Sequence, residues 1–76
     1  MNQKSKEVRL RLKMSTRAEF EKLVYDAMLT PTQEEVLRLH IAKGIEIPRI
    51  AERMQYSDCG IRKILYTAYE KVAKLS

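Results

Sequence analysis

The sequence predicts an all-α fold: a four-helix domain containing a helix-turn-helix, preceded by a basic N-terminal arm or short strand. Three observations predict it. Apolar residues recur at helical spacing over most of residues 16–75. Two glycines and two prolines leave the punctuation sparse, and all four marks fall at an expected helix end or in a first turn. Seventy-six residues make one domain, which buries only ~60% of the surface its unfolded chain exposes, so the core must come from a few small elements.

Taken in order, residues 2–6 are polar and read as loose. Val8, Leu10, Leu12 and Met14 then alternate with Arg9, Arg11 and Lys13, a period of two that suggests a short strand. A lone strand is unstable, so this segment needs a pairing edge, or is a helix start or an extended arm. The expected division is a basic arm over 1–14 and a helix-turn-helix domain over 15–76. Thr16 opens the first helix, with Glu19 at capping-box spacing. Phe20, Leu23, Val24, Ala27 and Met28 follow on one face. Thr30 and Pro31 end that helix and start the next, as N-cap and first helical residue. Val36, Leu37, His40 and Ile41 line its inner face, and Gly44 ends it. A short helix spans 47–54, with Pro48 in its first turn. Residues 55–57 break the chain, and Ser57 caps a last helix whose stripe is Ile61, Ile64, Leu65, Ala68, Val72 and Leu75. The four methionines read as core gap-fillers.

Composition narrows the function classes. The chain is 45% apolar and 33% charged, unlike a disordered polar tract. No apolar run nears the ~20 residues of a membrane span, and no signal-peptide pattern follows the basic start. One cysteine, Cys59, forms no internal disulfide and suits a reducing, cytoplasmic setting. Cofactors and metals are not expected: one His and one Cys cannot assemble a zinc set, and His40 reads as a packed residue. No Gly-rich phosphate loop and no nucleophile beside a His base is present, so the chain does not read as an enzyme. The net charge of +5 suits a polyanion, yet residues 1–13 alone carry five basic side chains against Glu7.

The chemistry therefore rests on residues 47–67. Two helices joined by a three-residue turn form a helix-turn-helix. Ala51 is small where the helices cross, and Ile50 and Met54 can meet Ile61 and Ile64. In this motif the second helix enters the major groove and its first turns contact base edges. Residues 29–75 resemble region four of bacterial sigma factors and are similar to LuxR-type domains. The resemblance is carried by Glu35-Val36-Leu37, Gly44, Ile50-Ala51-Glu52, Ser57 and Ile61. It implies a transcription-linked DNA-binding module, a stand-alone regulator of phage or mobile-element type. Three positions depart from it: Gln55 where the turn usually has Gly, Glu46 where Ser or Thr would cap, and Gly60 inside the recognition helix.

The DNA-contacting residues expected are Arg49, Ser57, Asp58, Cys59, Gly60, Arg62, Lys63, Tyr66 and Thr67. Arg62 and Lys63 lead, because Arg pairs bidentately with guanine and either cation holds a phosphate. Arg49 is a phosphate clamp, Ser57 a cap, and Asp58 an acceptor for cytosine or a balance to the helix dipole. The partners implied are double-stranded DNA, RNA polymerase, and a second copy docking through Tyr66, Tyr69 and Val72. Two other readings stand beside this one. The chain is a docking module for RNA polymerase or its regulators, or a ribbon-helix-helix dimer that reads DNA with residues 8–14.

Overall fold

Among the described residues the chain builds five helices: α1 (Gln3–Met14), α2 (Arg17–Asp26), α3 (Pro31–Leu37), α4 (Ile47–Met54) and α5 (Asp58–Ala73), with α3 running on into a π-helical stretch at Arg38–Ala42. This computed structural model describes the backbone of residues 3–75 and the side chains of 6–75. Asn2 of the expected loose segment and the Lys4 side chain of the expected arm lie outside the described residues.

The all-α expectation holds, and the four helices expected from residue 16 onward form as α2 to α5, but the arm or short strand expected before them is a fifth helix, α1. Among the described residues there is no strand, and residues 8–14 are helical. Alternation over seven residues also places Val8 and Leu12 four apart, on one face of a helix. Both are buried, with Leu12 only 2% exposed, whereas Leu10 and Met14 face solvent. A helix satisfies its backbone donors and acceptors internally, which a strand without a partner cannot. Residues 3–6, expected to be loose, form the first turns of α1. The paired ribbon of a ribbon-helix-helix protein is thus absent among the described residues.

Helix α2 starts where Thr16 accepts a bond from the Glu19 amide at 3.2 Å. The Glu19 carboxylate accepts from the Thr16 hydroxyl, not from its amide, so one half of the expected box forms. The complete capping box is at α3. There the Gln33 amide donates to Thr30 Oγ1 and the Thr30 amide donates to Gln33 Oε1. Gln33 Oε1 also accepts from Lys71 Nζ at 3.0 Å, which ties α3 to α5.

In the π stretch, the Lys43 amide donates to the Arg38 carbonyl and the Ile45 amide to Leu39. Gly44 then turns the chain at φ +68°, a conformation that costs glycine little. The core lies between all five helices, with Phe20 and Val24 supplied by α2. Val36, Leu37, Ile50, Ile61, Leu65, Ala68 and Val72 are all but sealed from solvent.

Three core expectations are corrected. Tyr69 and Val72, expected at a dimer interface, are core residues, Tyr69 only 2% exposed. They continue the stripe of Ile61 and Leu65 at i+4 and i+7, so they are not free to meet a second copy. Met14 and Met28, expected as gap-fillers, are 78% and 82% exposed, because one lies on the outer face of α1 and the other follows the end of α2. Leu75, expected on the α5 stripe, lies past the helix end and is partly exposed. No helix among the described residues is long and apolar enough to cross a membrane.

Candidate functional site

The site begins at the link between α4 and α5. Helix α4 buries Ile50 and Ala51, with Ile47 and Met54 packed at the edge of the core. Gln55 then adopts the left-handed conformation (φ 59°, ψ 42°). The Tyr56 amide donates to the Ala51 carbonyl at 2.8 Å and the Gln55 amide to Glu52, a Schellman ending that satisfies the last carbonyls of α4. Two residues later Ser57 Oγ accepts from the Gly60 amide at 3.0 Å and caps α5. Helix α4 has no such cap, as Glu46 makes no side-chain bond to its first turn.

Helix α5 packs with Ile61, Leu65, Ala68, Tyr69 and Val72 inward. Its outer face gathers most of the expected residues. Asp58, Cys59, Arg62, Lys63, Tyr66 and Thr67 are all exposed, as is Ser57. Arg49 is exposed on α4 and shares a shallow cleft with Ile45, Glu52 and Arg53. Arg53 and Tyr56 were not expected at this face. Both are exposed, and the i+4 spacing from Arg49 to Arg53 was the sequence signal for the first.

Two of the expected residues have local duties. A Cβ on Gly60 would stand 3.2 Å from Ser57 Oγ and 3.6 Å from the Tyr56 ring, so this glycine makes room for the cap. Thr67 donates its hydroxyl proton to the Lys63 carbonyl at 2.8 Å, which leaves only its lone pairs for a partner. Cys59 is a free, exposed thiol. Among the described residues no three His, Cys, Asp or Glu side chains come together as a metal site. His40 Nδ1–H donates to the Ile45 carbonyl at 2.9 Å, since a carbonyl can only accept.

The charge of this face is mixed. Arg49, Arg53, Arg62 and Lys63 stand with Glu46, Glu52 and Asp58. Elsewhere, Arg38 bonds Glu21 of α2 and Glu34 of α3 and lies 5.8 Å from the Phe20 ring centroid. The Arg38 guanidinium holds the Glu21 carboxyl below its ordinary value. At the back of α5, burial pushes the Tyr69 hydroxyl up to about 12; Arg9 of α1 opposes that shift and Tyr66 adds to it.

No protein-family model, curated protein or solved structure matches this chain.

Proposed function

We propose that the chain is a sequence-specific DNA-binding transcriptional regulator that lays the first turns of α5 in the major groove. The observation that carries this reading is the outer face of α5, joined to α4 by three residues. Ser57, Asp58, Cys59, Arg62, Lys63, Tyr66 and Thr67 are exposed together while Ile61 and Leu65 anchor the helix from behind. A groove about 12 Å wide accepts an α-helix with its side chains. Arg62 and Lys63 reach base edges or phosphates, Arg49 clamps the backbone, and Ser57 fixes where the helix begins. The resemblance of residues 29–75 to sigma region four and LuxR-type domains agrees with this use of the helix pair, in a cytoplasmic regulator.

The test is titration of promoter-like and random duplexes at two salt concentrations. Arg62→Ala with Lys63→Ala is expected to weaken binding and flatten its salt dependence. Binding that ignores the double variant, or no binding at low salt, overturns the reading. A second reading has its own observation. The alternation of Glu46, Arg49, Glu52 and Arg53 on exposed α4 suits a protein surface such as RNA polymerase. Capture of polymerase subunits without DNA, lost on Arg49→Glu with Arg53→Glu, would favour it.

A further inference from the structure

The end of α1, the start of α2 and the π stretch with Lys43 enclose a cleft of about 490 Å³, within the ~300–1,000 Å³ of small-ligand sites. No described residue of α5 lines it. Its floor is apolar: the core residues Leu12, Phe20 and Ile41 line it, and Ala42 is exposed beside them. Ala42 closes the π stretch, a wider turn found frequently at functional sites. Around this floor stand four cations, Lys13, Arg17, Arg38 and Lys43. Arg38 is already committed, bonding both Glu21 and Glu34. Lys13, Arg17 and Lys43 are exposed and form no ion pair with a described residue. The neighbouring acids are engaged or lie elsewhere. Glu21 and Glu34 hold Arg38, Glu19 lines a separate cleft with Lys22 and Asp26, and Glu46 meets Lys43 only in the adjoining cleft toward Arg49. Four cations against Glu21 and Glu34 leave a net charge of +2. Gathering like charges costs the fold through repulsion, and no contact within the chain offsets it at the three free cations.

We propose that this cleft binds a small phosphate monoester, its apolar body on Phe20, Ile41 and Ala42 and its phosphate among Lys13, Arg17 and Lys43. A phosphate monoester carries about −1.5 to −2 charges at pH 7, which matches the net charge of the cleft. Its oxygens accept charge-assisted hydrogen bonds from Lys and Arg. The first turn of α2 opens at the same mouth, through Thr16 and Arg17, and the positive end of a helix adds to the attraction. A duplex backbone fits this cleft less well, because a ridge of solvated phosphates gains nothing from an apolar floor. A small organic anion uses both parts of the cleft at once. The site stands apart from the DNA reading above, and either can fail without the other.

The experiment titrates phenyl phosphate into the full chain and follows the backbone amide signals by NMR. The signals of residues 13, 16, 17, 42 and 43 are expected to shift together and saturate. Inorganic phosphate and benzyl alcohol, which carry the head and the body separately, should each bind at least about tenfold more weakly. Lys13→Gln with Lys43→Gln should weaken phenyl phosphate by at least about tenfold, since each charged hydrogen bond is worth about that much. Ala42→Glu, which sets a carboxylate on the floor, should do the same. Lys22→Gln with Lys74→Gln removes equal charge outside the cleft and should leave binding unchanged. All five positions are exposed, and thermal melts check that the variants fold. No saturable shift, equal losses from the two lysine pairs, or inorganic phosphate binding as tightly as phenyl phosphate overturns the site. A duplex titration covers the rival occupant. If Lys13→Gln with Lys43→Gln weakens duplex binding while phenyl phosphate moves no cleft signal, these cations serve the DNA backbone and the proposal fails.

Discussion

Gln55 and Met28 hold the backbone at φ 59° and 55°, a region that costs a residue with a Cβ roughly 1 kcal/mol. Each sits where a helix must end and the chain turn back, and neither side chain is buried. Gln55→Gly and Met28→Gly should therefore each stabilise the fold by about 0.5–1 kcal/mol, a rise in Tm of roughly 2–8 °C. Gln55→Val should lower it. Urea or thermal unfolding of the three variants checks this, and a drop on Gln55→Gly would mean that the side chain has a contact worth more than the strain. The need at Gln55 was legible, because a three-residue link between two helices demands a sharp reversal. The need at Met28 was not. Its place in the apolar pattern continues the α2 face, and only the Thr30–Pro31 pair hinted that the helix had already ended. Tyr69 misled in a similar way, since an aromatic two turns past Arg62 reads equally as surface or core.

At the level of elements, α2 is held to α3 by a strap with Arg38 at its centre. Arg38 Nη2 donates to Glu21 Oε2 at 2.6 Å and to Glu34 Oε1 at 2.7 Å. The bonds from Arg38 lower the Glu21 pKa from its ordinary 4.5. A carboxyl whose folded pKa lies below its unfolded one stabilises the fold above the unfolded value. That contribution disappears as pH falls through the folded value. Glu21→Gln should therefore be less stable than the parent at pH 7 and should converge with it in acid, well below pH 4.5. Urea melts across that range measure the difference, and a gap that persists at low pH would show that the pair is not its source. Helix boundaries from residue 16 onward were legible because capping residues and Gly or Pro stood at most of the ends. The strap was not, because Glu21 and Arg38 are seventeen positions apart and nothing local announces their meeting. The Gln33–Lys71 bond is hidden for the same reason. The π stretch at Arg38–Ala42 was equally hidden, since one residue of slack in a turn leaves the apolar pattern almost unchanged.

The whole molecule has a radius of gyration of 11.4 Å, about what a folded chain of this length occupies. It leaves little room for a projecting arm, and α1 is packed as part of the body. The charge that seemed to belong to a tail is carried on a helix whose inner face completes the core beside α5. The sequence hid this because seven alternating residues fit a strand and a helix equally well; the choice depends on whether a partner surface exists, which is a property of the whole fold. Removing residues 1–14 would thus strip Val8 and Leu12 from the core, so it cannot separate a binding role from a folding one. Point variants can. Leu12→Ala should cost about 2–5 kcal/mol, a large part of the about 4–11 kcal/mol available to a domain of this size. Leu10→Ala, two positions away on the exposed face, should change stability by less than about 0.5 kcal/mol. Denaturant unfolding of the two variants decides between a structural helix and a solvated arm: an arm makes both silent, whereas the packed helix makes Leu12 costly and Leu10 neutral.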